Sequence, residues 1–172
     1  MLRRLFLLVV SGALLVALAA TAAFAQRSPE SPGPDNMING TGNSEVLFGT
    51  NANDLIRGLG GHDYLNGLWG HDVLLGGQGD DLVVGEAGGD RVAGGRGNDF
   101  LVAAYGFWQQ APNAPASPDL LQGGPGHDLI DAADREGARD TVECGLGSDL
   151  VHAGVRDFVG DDCEFVFRYF GF

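Results

Sequence analysis

Lysine is absent from this 172-residue sequence, and basic residues of any kind are few. After residue 25 the chain holds 8 arginines against 23 aspartates and glutamates, which is a net charge of −15. A surface this acidic repels nucleic acid and anionic lipid and attracts cations. We therefore expect no nucleic-acid partner. The charge could instead serve only solubility, but most of the aspartates fall into a regular repeat.

Signatures of enzymes are also missing. Neither H-E-x-x-H nor G-x-S-x-G occurs, and no glycine-rich string opens a segment with a helical period, which argues against dinucleotide binding. Repeats begin by Gly40 and fill most of the remaining chain, so a separate catalytic domain has no room. An enzyme would have to use an inserted loop and a repeat edge. We predict no enzyme, no catalytic residue and no organic cofactor.

Cysteine is limited to Cys144 and Cys163. An even number of cysteines in a chain that looks secreted predicts a disulfide. A zinc site is the alternative, but the paired Cys or His spacing that zinc needs is missing. The bridge would close a loop of about twenty residues and stabilise a C-terminal cap by roughly 3 kcal/mol on the chain-entropy model.

The first 25 residues have the layout of a secretory signal peptide. Arg3 and Arg4 precede an apolar run over 5–20, and Ala23-Phe24-Ala25 offers a small-residue cleavage site. An uncleaved anchor is the alternative, because the apolar run is nearly long enough to span a bilayer. We expect a secreted protein with no membrane span after cleavage. A Pro- and Ser-rich leader over 26–39 would follow the signal peptide.

Six nine-residue units follow one another without a gap over residues 49–102. The first place of a unit is always Gly, the sixth is always Asp, and the eighth is always aliphatic. A fixed short period with one apolar residue per unit is typical of a solenoid, in which each unit buries its face against its neighbours. The sixth places are Asp54, Asp63, Asp72, Asp81, Asp90 and Asp99, and the eighth are Ile56, Leu65, Leu74, Val83, Val92 and Leu101.

Each unit divides into a turn and a short strand. Places one to six are rich in Gly, Asn and Asp, which favour turns, and places seven to nine alternate as a strand does. Two units then make one coil, and units two apart stack, which puts alternate aspartates on opposite edges. Strands lie about 4.8 Å apart, so the stacked carboxylates would repel one another. Ca²⁺, which takes six to eight oxygen ligands, would remove that repulsion better than Mg²⁺.

The units resemble the RTX (haemolysin-type) calcium-binding nonapeptide G-G-x-G-x-D-x-U-x. GGQGDDLVV from Gly76 and GGRGNDFLV from Gly94 match it at every fixed place. The resemblance implies an ion between each unit and the second unit after it. It would be held by both aspartates, by carbonyls two and four of the first turn, and by carbonyls one and three of the second.

Applied to this sequence, the resemblance implies about four Ca²⁺ ions. On one edge the implied ligands are Thr50, Ala52, Asp54, Gly67, Trp69 and Asp72 for one ion, and Leu68, Gly70, Asp72, Gly85, Ala87 and Asp90 for another. On the other edge they are Leu59, Gly61, Asp63, Gly76, Gln78 and Asp81 for one ion, and Gly77, Gly79, Asp81, Gly94, Arg96 and Asp99 for another.

The ends of the chain depart from the regular phase. Glu45 stands where Asp is expected in the unit at 40–48 and could add a weaker fifth ion with Asp63. Residues 103–118 break the phase and predict an inserted loop, either functional or folded back on the coil. Degenerate repeats and a cap follow over 119–172. Asp128 could still bind an ion, but the twelve-residue spacing to Asp140 makes a regular ladder doubtful there.

The predicted fold is all-β: a right-handed parallel β-roll, a calcium-binding β-solenoid, with short turns and an irregular C-terminal cap. The predicted function is a secreted protein whose β-roll, over 40–102, folds on binding Ca²⁺. The alternative is an extracellular adhesion or self-assembly module that uses apolar side chains at outward places seven and nine. Ice binding is disfavoured, because place two does not keep a row of Thr or Asn. Self-association or an unknown extracellular partner fits the alternative.

Overall fold

The computed structural model describes residues 33–104, 117–133 and 138–169. This part of the chain contains fourteen β-strands and no helix. No segment of it could therefore cross a membrane as a helix. The predicted signal peptide at 1–25 and most of the predicted inserted loop lie outside the described residues.

The strands form two sheets of seven, and successive strands alternate between them. The first sheet, sheet A, contains β1 (Asn36–Asn39), β3 (Asp54–Gly60), β5 (Val73–Gln78), β7 (Arg91–Arg96), β9 (Leu120–Gly126), β11 (Thr141–Gly147) and β13 (Phe158–Val159) in that order. The second, sheet B, contains β2 (Val46–Phe48), β4 (Tyr64–Asn66), β6 (Leu82–Val84), β8 (Phe100–Val102), β10 (Leu129–Asp131), β12 (Leu150–Gly154) and β14 (Phe165–Tyr169).

All neighbouring strands pair in parallel, two units apart in the sequence. Ile56 lies opposite Leu74 in sheet A, and Leu65 lies opposite Val83 in sheet B. One coil therefore consists of strand, turn, strand and turn, as the nine-residue period predicts. The predicted all-β parallel β-roll is confirmed.

The core between the two sheets is built from the eighth place of each unit. All six of the predicted inward residues, from Ile56 to Leu101, are fully buried. Leu121, Ile130, Val142 and Val151 continue the same rows beyond the sixth unit and are also fully buried. One apolar residue per strand thus gives a narrow continuous core, in which each coil buries its face against its neighbours.

Apolar side chains at the outward places are less exposed to solvent in the middle of the solenoid than at its ends. Val84 and Val102 stand at outward places, yet they are 0% and 1% exposed. Exposed apolar side chains lie instead near the ends of the solenoid, for example Val46 at 63% and Phe167 at 61%. Of the two readings of the outward places, exposed or covered, the structure therefore supports the covered one at Val84 and Val102.

The stack continues past both breaks in the sequence phase. Arg91 pairs with Leu120 although 29 residues separate them, and Thr141 pairs with Leu120 across 21. The additional residues lie between strands, so they do not change which strands meet. A disulfide between Cys144 and Cys163, with Cα atoms 5.2 Å apart, joins β11 to the C-terminal segment.

Candidate metal sites

A ladder of aspartates runs along each edge of the solenoid, where the turns lead into the strands. From Asp72 on one edge and Asp81 on the other, the Oδ1 atom of each ladder aspartate accepts a hydrogen bond from the backbone N–H of the aspartate one coil earlier. Asp54 donates to Asp72 at 2.8 Å, and Asp72 donates to Asp90 at 2.9 Å. The opposite edge repeats the pattern from Asp63 to Asp81 at 2.8 Å and onward to Asp99. Each carboxylate thus lies close to the turn of the neighbouring coil.

The second oxygen of these aspartates has a different environment. Aspartates whose Oδ2 atom is buried and has no hydrogen-bond partner among the described residues include Asp63, Asp72, Asp81, Asp90, Asp99, Asp128 and Asp149. A buried carboxylate oxygen without a partner carries a large desolvation cost. These atoms fit a bound cation, which would supply the missing interaction.

Burial raises the pKa of several aspartates in the ladders. Desolvation raises the pKa of Asp72 to about 7, and hydrogen bonding from the Asp54 N–H opposes that rise. The same cause raises the pKa of Asp99 to about 7 and of Asp90 to about 6, and it raises the pKa of Asp81 and Asp128 as well. Neighbouring aspartates add repulsion at Asp72 and Asp99. The unliganded edges therefore oppose full ionisation.

Backbone carbonyls lie close to the Oδ2 atoms of the aspartates because the first residue of each regular unit is glycine and has no side chain. A Cβ atom built on Gly76 would lie 2.5 Å from Oδ2 of Asp81 and 2.6 Å from the carbonyl oxygen of Gly94. Gly67 shows the same arrangement with Asp72 at 2.4 Å and Gly85 at 2.7 Å. Glycine at place one thus leaves space in which a carboxylate and a carbonyl of the next coil converge.

From the unit that begins at Gly58, the second place of each regular turn adopts a left-handed backbone conformation. Gly77 and Gly95 have φ of 123° and 117°, and three non-glycine residues share the region, Leu59 at 77°, Leu68 at 75° and Glu86 at 74°. A side chain there costs roughly 1–2 kcal/mol. The structure therefore keeps the turn geometry even where the sequence lacks glycine.

Side chains at place five form a further set of contacts between coils. The Nδ1 atom of His71 accepts from the Gly89 N–H at 2.9 Å, and Nδ1 of His62 accepts from Asp80 at the same distance. Asn98 accepts from the His127 N–H at 2.9 Å. The histidines serve here as hydrogen-bond acceptors of the turns, in the role that Asp80 and Asn98 have in other coils.

Backbone contacts join stacked turns that contain residues implied as ligands by the repeat. The Thr50 carbonyl accepts from the Trp69 N–H at 3.2 Å, and the Leu68 carbonyl accepts from Ala87 at 3.0 Å. A Cβ atom built on Gly70 would lie 2.4 Å from the carbonyl oxygen of Ala52. One built on Gly77 would lie 2.4 Å from the carbonyl oxygen of Leu59, and one built on Gly79 would lie 1.8 Å from that of Gly61. Carbonyls of Gln78, Arg96 and Ala87 accept from Gly61, Gly79 and Gly70.

Side chains alone do not form a complete metal site in this structure. Over 33–104, 117–133 and 138–169, no three His, Cys, Asp or Glu side chains come together as a metal-binding group. Each candidate position instead offers two carboxylates from stacked coils together with turn carbonyls. Oxygen ligands of this kind suit Ca²⁺ better than zinc or copper.

The ladders continue through acidic residues beyond the six regular units, of which the sequence predicted only Asp128 as a ligand. Asp119 accepts from Asp90, Asp140 accepts from Asp119, and Asp157 accepts from Asp140 at 3.2 Å. On the other edge Asp128 accepts from Asp99 and Asp149 accepts from Asp128, both at 2.8 Å. The signal was present in the aspartate that precedes each late strand, although the twelve-residue spacing concealed it.

At the N-terminal end of the solenoid, Glu45 donates its N–H to Asp63, and its carboxylate accepts a hydrogen bond from the Thr41 N–H.

Comparison with protein families gives one match. The model of the RTX calcium-binding nonapeptide repeat, in 4 copies, matches residues 39–74, 67–101 and 116–134, which together are just under half of the chain. No curated protein and no solved structure matches the sequence significantly. The matched residues include both edges of the regular coils and the turn that contains Asp128.

Proposed function

Because this chain carries RTX calcium-binding nonapeptide repeats on a parallel β-roll, we propose that it is a secreted protein whose solenoid folds when Ca²⁺ binds along its two edges. Calcium is a divalent cation that binds six to eight oxygen ligands. The chain supplies stacked carboxylates and turn carbonyls.

The observation that carries the proposal is the row of buried Oδ2 atoms without a partner. Oδ1 of the same carboxylates already accepts a backbone N–H, so the second oxygen remains for a cation. The shifts of pKa have the same origin, because desolvation disfavours the charged form until a counter-charge is present. Without an ion, the ladders place several negative groups together in a poorly solvated edge.

The residues that would hold the ions are those given by the repeat. Asp72 and Asp81 would each serve two ions, since each lies between two stacked aspartates on its edge. Asp54, Asp63, Asp90 and Asp99 would each complete one regular position, and Asp128 would share one with Asp99. Glu45 already bonds to Thr41 with both carboxylate oxygens, so a fifth ion there would be weaker.

Direct counting of bound ions tests the proposal. Equilibrium dialysis of the metal-free protein against radioactive Ca²⁺ should give about four or more bound ions, with dissociation constants of the order 10⁻⁴–10⁻³ M that are typical of extracellular modules. Mg²⁺ at the same concentration should compete poorly, because it keeps its waters and prefers a strict octahedron. No measurable binding at millimolar Ca²⁺ would contradict the proposal.

Self-association is a second candidate, and the C-terminal end of the solenoid favours it. Phe158, Phe165 and Phe167 are 67%, 56% and 61% exposed there. β14 has a neighbour on one side only among the described strands, so its outer edge could accept another strand. Sedimentation velocity in saturating Ca²⁺ should then show a dimer that Phe167→Ser weakens, and a monomer at high protein concentration would exclude this role.

A further inference from the structure

A turn that lies beyond the residues matched by the family begins with a cysteine, Cys144, where the regular units begin with glycine. The unit Cys144–His152 begins with Cys144, whose side chain is fully buried in a disulfide with Cys163. The family match ends at residue 134, and although Asp149 stands at the sixth place of this unit, the sequence did not predict a metal position here. The structure nevertheless aligns this turn with the turn that contains Asp128.

The backbone of this turn has the same geometry as the regular turns. A Cβ atom built on Gly123 would lie 2.5 Å from Oδ2 of Asp128 and 2.5 Å from the carbonyl oxygen of Cys144. The equivalent distances at Gly76 are 2.5 Å and 2.6 Å. The Cys144 carbonyl therefore occupies the place that a first-place glycine carbonyl occupies elsewhere on this edge.

The carboxylates of this position are also arranged as in the regular coils. Asp128 and Asp149 are 2% and 0% exposed, and Oδ2 of each is buried without a hydrogen-bond partner among the described residues. Oδ1 of Asp149 accepts from the Asp128 N–H at 2.8 Å. Two buried carboxylates and the turn carbonyls between them are the ligand set that the edge offers at every regular position.

The segment around Cys163 holds this turn at three points. Cys163 is bonded to Cys144 itself. Its neighbour Asp162 accepts from the Gly145 N–H at 2.7 Å, and Glu164 accepts from the Asp149 N–H at 2.9 Å. The covalent bond therefore fixes a segment whose adjacent carboxylates hold both the start and the end of the turn.

We propose that Asp128, Asp149 and the Cys144 turn form a further calcium position, and that the Cys144–Cys163 disulfide controls its affinity. This rests on the proposed calcium function and extends it to a redox-sensitive site. Reduction breaks the S–S bond by adding two electrons and two protons from a dithiol, which is itself oxidised to a disulfide. The turn then loses its covalent restraint and keeps only its strand pairing and the hydrogen bonds to Asp162 and Glu164, so the ion must supply more of the order of the Cys144 carbonyl and Asp149.

The coupling must act in both directions. If the disulfide strengthens calcium binding by some factor, calcium stabilises the disulfide against reduction by the same factor. Coupling of the usual size corresponds to a change of about fivefold or more in affinity. The regular positions between Asp54 and Asp99 lie in other coils and should keep their affinity when the bond is broken.

Calcium titrations of the oxidised and reduced full chain test the site. Equilibrium dialysis of the oxidised protein should find one class of ion whose dissociation constant rises about fivefold or more in a Cys144→Ser/Cys163→Ser variant, with the remaining ions unchanged. Identical binding curves for the two proteins would overturn the proposal. If neither protein binds calcium, the proposed function itself fails, so the two failures are distinguishable.

The rate of disulfide reduction gives a second readout that needs no count of ions. Because Ca²⁺ also folds the regular coils, the rates are compared between variants at one saturating Ca²⁺ concentration: reduction by excess dithiothreitol, followed by alkylation of the free thiols, should be about fivefold or more slower in the unmodified chain than in Asp149→Asn. Asp149→Asn keeps an oxygen that can accept the Asp128 N–H but removes the charge, so the protection that calcium gives at this position should be lost. Asp161→Asn makes the same change at an exposed position of the cap and should retain it. Equal reduction rates in the two variants at that Ca²⁺ concentration would overturn the proposal.

Discussion

At the scale of the residue, the unusual feature is a carboxylate whose two oxygens have different roles. Oδ1 of Asp72 accepts the Asp54 N–H at 2.8 Å, whereas its Oδ2 is buried without a partner among the described residues. The first bond is available with or without an ion, and it fixes the direction of the side chain. Once the coil is folded, the ladder therefore orients the carboxylates independently of the cation.

Removal of a shared carboxylate should be the most damaging single change. Asp72→Ala or Asp81→Ala deletes a ligand of two proposed ions and leaves a buried N–H of the preceding coil without its acceptor, which costs about 1–3 kcal/mol. We expect the calcium midpoint for folding, followed by circular dichroism, to rise about tenfold or more.

Two companion variants show which oxygen matters. Asp72→Asn keeps an acceptor for the Asp54 N–H but loses the charge, so it should still raise the midpoint. Asp35→Ala removes an exposed aspartate whose contact with the Asn53 N–H is long, at 3.3 Å, and should leave the midpoint almost unchanged. Equal midpoints for Asp72→Ala and Asp35→Ala would show that the proposed ligand assignment is wrong.

Relief of backbone strain gives a second prediction for a single residue. Leu59 has a φ of 77° and a side chain that is 51% exposed, so Leu59→Gly loses little burial and removes a strain of roughly 1–2 kcal/mol. Urea unfolding in saturating Ca²⁺ should show a gain of about 0.5–1 kcal/mol. Leu129→Gly is the control, because Leu129 is 39% exposed within β10 and glycine weakens a strand. A loss of stability in both variants would contradict this account.

At the scale of the element, the register of strands is set by pairing in space and not by counting along the chain. Asp54 and Asp72 could be paired from the sequence because exactly two nine-residue units separate them. Asp119 and Asp140 could not, because 29 residues separate Asp90 from Asp119 and 21 separate Asp119 from Asp140. Residues inserted between strands change the count and leave the parallel ladder intact.

The same difference between local pattern and contacts in space explains which other features could be predicted from the sequence. The inward place predicted Ile56, Leu65 and Leu74 correctly as core, because a strand alternates its side chains. Outward places gave no reliable prediction of exposure, since what covers Val84 and Val102 depends on the remainder of the chain. The turn strain at Leu68 and Glu86 was equally hidden, because a left-handed φ follows from the coil and not from the residue type.

The carboxylates of an edge should make stability depend on pH in a direction opposite to the usual one. The folded pKa values of Asp72 and Asp99 are raised to about 7 and that of Asp90 to about 6, all from 3.8. Between about pH 4 and 7 the folded, metal-free chain therefore binds more protons than the unfolded chain, and its stability falls as pH rises. Protons compete with the ion, so calcium affinity should weaken below about pH 7.

Two measurements check that sign. Circular dichroism of the metal-free protein should show more β-sheet at pH 5 than at pH 8, and calcium binding near pH 6 should release protons into a weakly buffered solution. Asp72→Asn cannot titrate at this position and should reduce both effects. A metal-free stability that increases with pH across this window would show that desolvation does not control these carboxylates.

At the scale of the whole molecule, the solenoid has a thin core and two acidic edges. Each strand from β3 to β12 contributes one fully buried apolar side chain at place eight, whereas the edges bury one aspartate per turn over the same coils. Burial of a Leu or Val contributes about 1.5–3 kcal/mol, and an uncompensated buried carboxylate costs a comparable or larger amount. The balance between the folded and unfolded chain therefore depends on whether the carboxylates have a counter-charge.

Calcium should consequently act as a switch for folding of residues 26–172. In the presence of EGTA we expect an expanded chain with little β-sheet signal in circular dichroism, since repulsion among the 23 acidic residues opposes compaction. Millimolar Ca²⁺ should produce the β-sheet spectrum and a smaller hydrodynamic radius together, because binding and folding are one equilibrium. The same concentration of Mg²⁺ controls for charge screening and should leave most of the chain unfolded. Spectra and radii that are identical with EGTA and with Ca²⁺ would mean that the apolar core suffices, and calcium would then bind a solenoid that is already folded.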